Sequence, residues 1–290
     1  MNGLDAHPGA RSATATNRSL GGAAGALLVK LGGRALEAPG ALEECATALR
    51  AHAVGGRATL VLHGGGAEVT AWCNRAGIEA RFADGLRVTD APTLEIAAAV
   101  LAGLANKRLV AALRARGADA VGLSVLDGGI VRARRHAQTA VLGEVGEVES
   151  VDASLLETLV VTGRMPVLAS LGDDGAGALL NLNADDVAAA IAAALPAGDL
   201  VLLSDTPGLK LGGEVVRDVR ADELPALLEH PEVLGGMRPK LRAAGTALAA
   251  GVRRVHIAAW QGPGTLAALL AGTGRATTLH AAPLTEESHA

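Results

Sequence analysis

The chain has 290 residues, of which 50% are hydrophobic, and a formal net charge of −4 at pH 7. This length and apolar content suit one large α/β domain, or two lobes that share one sheet. The small net charge excludes recruitment of nucleic acid or of an anionic membrane by a global electrostatic field. Cys45 and Cys73 have no metal-ligand spacing, and so few thiols favour a reducing, cytoplasmic setting over a disulfide framework.

The N-terminal segment differs from the rest in lacking strand-like or helix-like periodicity. Residues 1–24 are rich in Ala, Arg, Ser and Thr and lack the apolar centre of a secretory signal, so we expect a disordered or partner-binding extension. No uninterrupted apolar run reaches the roughly 18 residues that span a bilayer, which predicts a protein with no membrane segment.

From residue 25 onward, short apolar runs alternate with alanine-rich helical stretches. The predicted strands are residues 26–31, 58–63, 120–124, 165–171, 200–204, 254–258 and 277–280. The predicted helices are residues 41–53, 67–76, 93–116, 153–162, 184–195, 239–250 and 265–271. Residues 128–150 interrupt this alternation with glycine turns and predict a hairpin excursion. Continuous apolar strands between helices indicate a three-layer α/β/α sandwich with a largely parallel central sheet.

Three predicted strands end in glycine-rich turns, where parallel sheets bind ligands and backbone N–H groups can contact phosphate. The turns are Leu31-Gly32-Gly33, His63-Gly64-Gly65-Gly66 and Ser204-Asp205-Thr206-Pro207-Gly208. Lysine is rare in this arginine-rich chain and occurs only at Lys30, Lys107, Lys210 and Lys240. A compact ammonium suits a tight phosphoryl site better than a guanidinium does, and Lys30 and Lys240 both lie near glycine pairs.

Three other motif classes are excluded. The chain has no Gly-Lys dipeptide, so it contains no P-loop. The glycines at Gly262 and Gly264 come too late for the rest of a dinucleotide-binding unit to follow. His63 and its glycines are similar to an esterase oxyanion segment, but no Gly-x-Ser-x-Gly nucleophile motif accompanies them.

Six motifs in one order resemble the amino acid kinase family. They are Lys30-Leu-Gly-Gly33, Val61-Leu-His-Gly-Gly-Gly66, Arg87-Val-Thr-Asp90, Asn181-Leu-Asn-Ala-Asp185, Leu203-Ser-Asp-Thr-Pro-Gly208 and Gly235-Gly-Met-Arg-Pro-Lys240. The resemblance covers about residues 24–281 and is strongest to members that use ATP to phosphorylate the side-chain carboxylate of N-acetyl-L-glutamate in arginine biosynthesis. It implies one domain at 25–281, with an amino-acid-substrate lobe at 25–178 and a nucleotide lobe at 179–281.

The resemblance implies roles for three residues in phosphoryl transfer. Lys30 and Lys240 would flank the phosphoryl group in flight and offset its growing negative charge, and Asp185 would hold both lysines. The implied nucleotide-binding residues are Gly32, Gly33, Ser204, Asp205, Thr206, Gly208, Leu209 and Lys210. Mg²⁺ is expected to arrive with ATP rather than in a protein cage.

The resemblance also implies a binding site for the amino acid. Arg87 would grip the α-carboxylate with a bidentate guanidinium, and Asn181 would contact the same carboxylate or the acyl amide. The amides of Gly65 and Gly66 would contact the attacking carboxylate. His63, at the end of its strand, is interpreted as a structural hydrogen-bonding residue, because a carboxylate needs no general base in order to attack.

Two alternative functions remain open from the sequence. A sister kinase could act on aminoadipate or glutamate carried by a small acidic protein, for which Arg75, Arg81, Arg87 and Arg108 could supply a basic rim. A non-catalytic sensor could use the same fold, although it would not need Lys30, Asp185 and Lys240 together. The resemblance implies a homodimer, and the family pattern is broken at Arg34 and Arg238 with an effect that the sequence does not predict.

Overall fold

The computed structural model describes residues 25–32, 39–83, 85–195 and 197–281, and the elements named below belong to them. The predicted N-terminal extension at 1–24 lies outside the described residues, as do Gly33 and Arg34. The strands are β1 (Ala26–Leu31), β2 (Thr59–His63), β3 (Phe82–Ala83), β4 (Leu86–Arg87), β5 (Ala120–Ser124), β6 (Val131–Arg135), β7 (Val145–Val151), β8 (Met165–Ala169), β9 (Leu171–Asp173), β10 (Leu179–Leu182), β11 (Ala197–Ser204), β12 (Lys210–Leu211), β13 (Glu214–Val215), β14 (Asp218–Arg220), β15 (Arg254–Ala259) and β16 (Thr277–His280).

The helices lie between these strands. They are α1 (Ala41–Val54), α2 (Gly66–Arg75), α3 (Ala91–Ala98), α4 (Asn106–Ala115), α5 (Thr139–Leu142), α6 (Ser154–Val161), α7 (Ala184–Ala194), α8 (Leu224–Leu228), α9 (Met237–Ala249) and α10 (Thr265–Leu270). A π-helical segment, Ala99–Ala105, joins α3 to α4 without a break, so that the three form one long helix.

The central sheet has eight strands among the described residues, in the order β14-β16-β15-β11-β1-β2-β8-β5. Its pairs are parallel except for β15 with β16. This arrangement confirms the predicted α/β fold with a largely parallel sheet. The pairing of β1 with β11 also makes the sheet continuous across the predicted boundary between lobes at 178, and the two-lobe division stays a prediction.

Side chains alternate along each strand, so both faces of the sheet carry apolar side chains, and helices cover both faces. In β1, Leu28 packs into the core beneath α7 and α9, whereas Leu27 and Val29 pack into the core beneath α1 and α4. The two apolar cores are therefore separated by the sheet itself. By the same alternation, Lys30 shares the face of Leu28.

The strands β10, β7, β6 and β9 form a second, smaller sheet that closes into a barrel. Strands β6 and β7 form the antiparallel hairpin that was predicted within 128–150. The predicted strand at 165–171 is wrong at its end: β8 stops at Ala169, and Leu171–Asp173 pairs with β10 in the smaller sheet. The chain changes sheets at Ser170, which leaves this serine buried at the junction.

The long helix has the length and mean hydropathy of a membrane span, although charged residues interrupt its apolar sequence. Ala91–Ala115 has 25 residues and a mean hydropathy of 1.6 in its most apolar window. Asp90 caps its N-terminus, and the Asp90 carboxylate accepts a hydrogen bond from the Thr93 amide at 3.1 Å. Leu109 and Leu113 pack into the core against the central sheet. The core helix of a globular α/β domain satisfies the same criteria of length and composition.

Candidate functional site

The glycine turns meet at one edge of the sheet because parallel strands end there in register. Leu31, the last residue of β1, pairs with His63 of β2 on one side and with Leu203 of β11 on the other. The turns that follow these three strands are therefore neighbours. This is the edge at which open α/β sheets bind their ligands.

An ion triad of Lys30, Asp185 and Lys240 forms at this edge, although the three residues lie far apart in sequence. Nζ of Lys30 is 2.7 Å from Oδ1 of Asp185, and Nζ of Lys240 is 3.3 Å from Oδ2 of the same carboxylate. The strand alternation points Lys30 toward α7, and Asn183 caps that helix by accepting a hydrogen bond from the Asp185 amide at 2.8 Å. The three side chains are thus set by one strand and the first turns of α7 and α9.

Asp185 is buried but remains ionised. Burial by itself raises the pKa of Asp185, but the charges of Lys30 and Lys240 outweigh burial and hold that pKa below its usual range. One carboxylate between two ammonium groups leaves a net positive charge in the cleft. A polyanion, such as a nucleotide triphosphate, would be attracted to it.

A cavity of about 210 Å³ opens beside this ion triad, and its wall includes Lys30, Gly65, Arg87, Asn181 and Asp185. It therefore brings together three predicted catalytic or substrate-binding residues of the N-terminal part with two from the segment after residue 178. The remaining predicted substrate-binding residue, Gly66, also lies in the wall.

Arg87 is held rigidly in the cavity wall, with one of its nitrogens unpaired among the described residues. Its side chain donates two hydrogen bonds from Nη2, to the Gly66 carbonyl and to Thr70 Oγ1, each at 2.7 Å, and stacks on Phe82 at 4.7 Å from the ring centroid. The residue is only 8% exposed, yet Nη1 is buried without a hydrogen-bond partner in the described residues. A fixed guanidinium with one edge unsatisfied is suited to an anionic ligand such as a carboxylate.

Asn181 lies on β10 at the same cavity. Its Nδ2 donates to Thr89 Oγ1 at 3.1 Å, and its backbone N–H donates to the Glu144 carbonyl at 2.9 Å. These bonds fix the amide while leaving its Oδ1 acceptor for a ligand.

Two of the predicted nucleotide-binding residues have backbone groups that are already paired. The amide of Gly32 donates to the Leu203 carbonyl at 2.8 Å and is thus used between strands β1 and β11. Leu209 is buried in the core, its amide donates to Thr277 Oγ1 at 2.8 Å, and its carbonyl accepts from the Val216 amide at 2.9 Å. The Gly32 amide and both backbone polar groups of Leu209 are thus already paired, and the nucleotide roles of these two residues stay predictions.

The other residues of the predicted nucleotide turn lie at the C-terminal end of β11, beside Gly32. Ser204 and Thr206 share a hydrogen bond between their hydroxyls at 3.0 Å, which closes the turn. Lys210 is exposed on the β12–β13 hairpin. Asp205 and Gly208 lie in the same turn, and Gly33 is outside the described residues. The nucleotide roles of these residues stay predictions.

Three residues at the site were not predicted from the sequence. Thr70 and Phe82 hold Arg87, and the buried Asn106 contacts His63. Thr70 follows Gly66 by one helical turn and so faces the same side of α2, which is the one signal that could have found it. The contacts of Phe82 and Asn106 depend on tertiary packing.

The chain is similar to known proteins in both sequence and fold. Residues 26–259 match the model of the Amino acid kinase family. The chain is 46% identical over 209 residues to the acetylglutamate kinase of Symbiobacterium thermophilum, which covers 68% of this chain and 71% of that protein. It is 45% identical over 213 residues to the acetylglutamate kinase of Methanopyrus kandleri, which covers 70% of this chain and 87% of that protein.

Among solved structures, the chain is similar to N-acetylglutamate synthase from Neisseria gonorrhoeae complexed with coenzyme A and N-acetyl-glutamate. The TM-score is 0.77 at 26% identity, over 88% of this chain and 59% of that chain. It is also similar to the smu.665 protein of Streptococcus mutans UA159, with a TM-score of 0.76 at 27% identity over 88% of this chain and 98% of that chain.

Proposed function

Since the chain belongs to the amino acid kinase family, we propose that it transfers the γ-phosphoryl group of ATP to the side-chain carboxylate of N-acetyl-L-glutamate. The product is an acyl phosphate, formed as a step of arginine biosynthesis. The acetylglutamate kinases among its relatives support this substrate. The observation that carries the proposal is the convergence of Lys30 and Lys240 on the Asp185 carboxylate.

The ion triad suits phosphoryl transfer, which depends on positioning and charge neutralisation. In the proposal, Lys30 and Lys240 contact the transferred phosphoryl group and the leaving β-phosphate from two sides. Their charges stabilise the transition state more than the bound substrates, because negative charge accumulates on those oxygens during transfer. Asp185 positions both ammonium groups and offsets their repulsion when the nucleotide is absent.

The cavity beside the triad suits a small dicarboxylate. Arg87 would bind the α-carboxylate through its unpaired Nη1, and Asn181 would contact the same end of the substrate. The γ-carboxylate would then lie against the amides of Gly65 and Gly66, next to Lys30. This orientation directs the attacking oxygen toward the phosphoryl group.

ATP would lie along the turn from Ser204 to Gly208, at the neighbouring strand end. We propose that Mg²⁺ would arrive bound to ATP, where it would neutralise part of the charge of the phosphates. The lysines of the triad would then act on the same phosphates.

The carrier-protein alternative receives less support from the described residues than from the sequence. The arginines that could form its basic rim are Arg75, Arg81, Arg87 and Arg108. Of these, Arg87 is buried in the cavity, Arg108 is paired with Glu68 at 2.7 Å and Arg81 lies 3.7 Å from Asp90. A paired or buried arginine contributes little to attraction of an acidic partner. A free small substrate is therefore the preferred proposal.

Trapping of the acyl phosphate by hydroxylamine tests the proposal. We expect ATP-dependent hydroxamate from N-acetyl-L-glutamate and much less from unacylated glutamate. Hydroxamate only from a carrier-linked aminoadipate or glutamate would support the sister kinase, and none from any of these acceptors would support the sensor. We further propose that the enzyme is a cytoplasmic homodimer, which light scattering on the purified chain would test.

A further inference from the structure

We propose that His63 is a positioning residue that orients the peptide between Gly64 and Gly65, so that the Gly65 amide N–H is directed into the substrate cavity. This inference rests on the proposed function, because the amide is directed at the carboxylate that is to be phosphorylated. It gives the buried histidine a role beyond filling the core.

The contacts of His63 fix which ring nitrogen carries the proton. The residue is 4% exposed, its Nδ1 lies 2.9 Å from the Gly64 carbonyl oxygen, and its Nε2 lies 3.1 Å from Nδ2 of Asn106. A carbonyl oxygen only accepts and an amide nitrogen only donates. His63 is therefore neutral, with the proton on Nδ1 donated to Gly64. Burial also lowers the pKa of His63, which keeps the ring uncharged.

Asn106 is held so that its amide cannot turn round. Its Nδ2 also lies 3.2 and 2.9 Å from the carbonyl oxygens of Leu123 and Val167, so its two hydrogens are shared among three acceptors, and its Oδ1 accepts from Lys107 Nζ at 3.1 Å. The residue is fully buried and follows directly on the π-helical segment Ala99–Ala105. Such segments often occur at functional sites, because the extra residue shifts the side chains that follow. Here the shifted side chain is a donor to His63.

The geometry of a planar trans peptide turns this carbonyl contact into a direction for the next amide. In such a peptide the C=O and the following N–H point to opposite sides. The Gly64 oxygen faces His63, which lines a cavity of about 430 Å³, whereas Lys30 and Arg87 line the other cavity that the glycine loop borders. The N–H of Gly65 then points away from His63, toward the cavity that holds Lys30 and Arg87.

The polar groups on either side of this amide are already used, which leaves the Gly65 amide for a ligand. The Gly64 amide donates to the Leu31 carbonyl at 3.1 Å, and the Gly65 carbonyl accepts from the Val69 amide at 2.8 Å. The Gly65 N–H has no hydrogen-bond partner in the described part of the chain. Since a glycine pair can rotate its shared peptide at little cost, the bond from His63 selects one of the two orientations.

Two substitutions distinguish the roles of the two ring nitrogens of His63. The amide of an asparagine reaches the position of Nδ1, and that of a glutamine reaches the position of Nε2. In His63→Asn, the donor to Gly64 is kept, and Asn106 retains its two carbonyl acceptors. We expect kcat within about threefold of the wild type. In His63→Gln the donor is lost, and we expect kcat to fall by about 10²-fold with the KM for ATP changed less than about threefold, as for loss of one oriented amide in an oxyanion site.

His256→Asn is the matched control, because His256 is also buried on the central sheet but contacts Thr278 and Asp199, away from the glycine loop. It should lower the unfolding midpoint without lowering kcat. Equal kcat for His63→Asn and His63→Gln, or a kcat in His256→Asn as low as in His63→Gln, would overturn the proposal.

The tautomer of His63 gives a test that does not need a stable variant. In ¹⁵N spectra of the histidine-labelled wild-type protein, Nδ1 of His63 should be the protonated nitrogen, and a proton on Nε2 would overturn the proposal. This result also separates the two claims. If wild-type protein makes no hydroxamate from N-acetyl-L-glutamate, the proposed function fails while the spectrum still decides the orientation of the loop. If wild-type protein is active and the variants are equal, only the role of His63 fails.

Discussion

Lys240 lies at the wrong end of its helix for a cation, and Asp185 compensates for it. Oδ2 of Asp185 is 3.3 Å from Nζ of Lys240, which extends from the first turn of α9. A helix N-terminus carries partial positive charge and disfavours a lysine by some tenths of a kcal/mol, or about 1 kcal/mol at most. The same field favours a phosphate. The placement of Lys240 therefore costs stability in the empty protein and fits a site that fills with a polyanion.

Replacement of this lysine tests its proposed role in the transition state. In Lys240→Ala, we expect kcat to fall by about 10³-fold while the KM for ATP changes little, because the charge acts mainly on the transferred phosphoryl group. Steady-state kinetics with hydroxylamine trapping measures both constants. Arg242→Ala, an exposed arginine on the same helix, is the control and should retain kcat within about threefold. A Lys240→Ala enzyme with wild-type kcat would remove this lysine from the mechanism.

Arg87 should control binding of the amino acid rather than the rate of transfer. In Arg87→Lys, the charge is kept but the planar fork is lost, so we expect the KM for N-acetyl-L-glutamate to rise by about 10²-fold with a smaller change in kcat. Initial rates over a range of substrate concentrations separate the two. Arg81→Ala changes an exposed arginine just before the β3–β4 hairpin and should leave that KM unchanged. An unchanged KM in Arg87→Lys would place the α-carboxylate elsewhere.

A methyl group at Gly65 should collide with the helix behind the loop. The backbone φ of Gly65 is extended, at 175°, so an alanine is not strained there, but its Cβ would lie 2.7 Å from Cδ2 of Leu101. We expect Gly65→Ala to be less stable by about 1–2 kcal/mol and to lose about tenfold or more in kcat, because the loop is displaced. In the double variant with Leu101→Ala the collision is removed, and kcat should recover in part. Urea unfolding and hydroxamate kinetics give the two quantities.

Recovery of kcat in that double variant is the informative result, since Leu101→Ala alone opens a cavity and should only destabilise. If the double variant is no more active than Gly65→Ala, the loss comes from a cause other than the contact with Leu101.

The opposite end of the sheet should govern stability at low pH. Asp199 is 1% exposed and accepts hydrogen bonds from Arg57 and Arg254, at 2.5 and 2.7 Å, and from His256 at 3.3 Å. Burial raises the pKa of Asp199, but the hydrogen bonds from His256, Arg254 and Arg57 outweigh burial and hold that pKa well below its usual range. The folded state thus binds the proton more weakly than the unfolded state, whose pKa is about 3.9.

It follows that the ionised Asp199 stabilises the fold fully above about pH 4 and that this stabilisation is lost as pH falls through the lower, folded pKa. Asp199→Asn should reduce the free energy of unfolding by about 3 kcal/mol at pH 7, because it leaves two arginines without their carboxylate. The difference from the wild type should shrink below pH 4. Urea titrations at pH 7 and pH 3 measure it, and a difference that grew on acidification would contradict the sign of this argument.

The central sheet was predictable because its strands are short apolar runs with helices between them. Residues 26–31, 120–124 and 277–280 were predicted with the bounds that the structure gives. The change of sheet after Ala169 could not be predicted, because Leu171 is as apolar as the strand before it and only its pairing with β10 distinguishes it. Strands of two residues, such as β3 and β4, are too short to show any periodicity.

At the site, the residue types indicated which groups would meet, but not which polar atoms would remain unpaired. The lysines, Asp185 and Arg87 stand out by motif and by rarity. That the Gly32 amide is used by Leu203 while the Gly65 amide is unused depends on the register of β1 with β11 and on the contact of His63 with Gly64. These are tertiary hydrogen bonds, and no local pattern encodes them.

A crystal structure with ADP, aluminium fluoride and N-acetyl-L-glutamate tests the central claim most directly, because aluminium fluoride takes the place of the phosphoryl group in transfer. We predict that Nζ of Lys30 and Nζ of Lys240 both lie within hydrogen-bonding distance of its fluorides, with the substrate γ-carboxylate opposite ADP. A complex in which either lysine stays paired with Asp185 alone, away from the fluorides, would contradict this account.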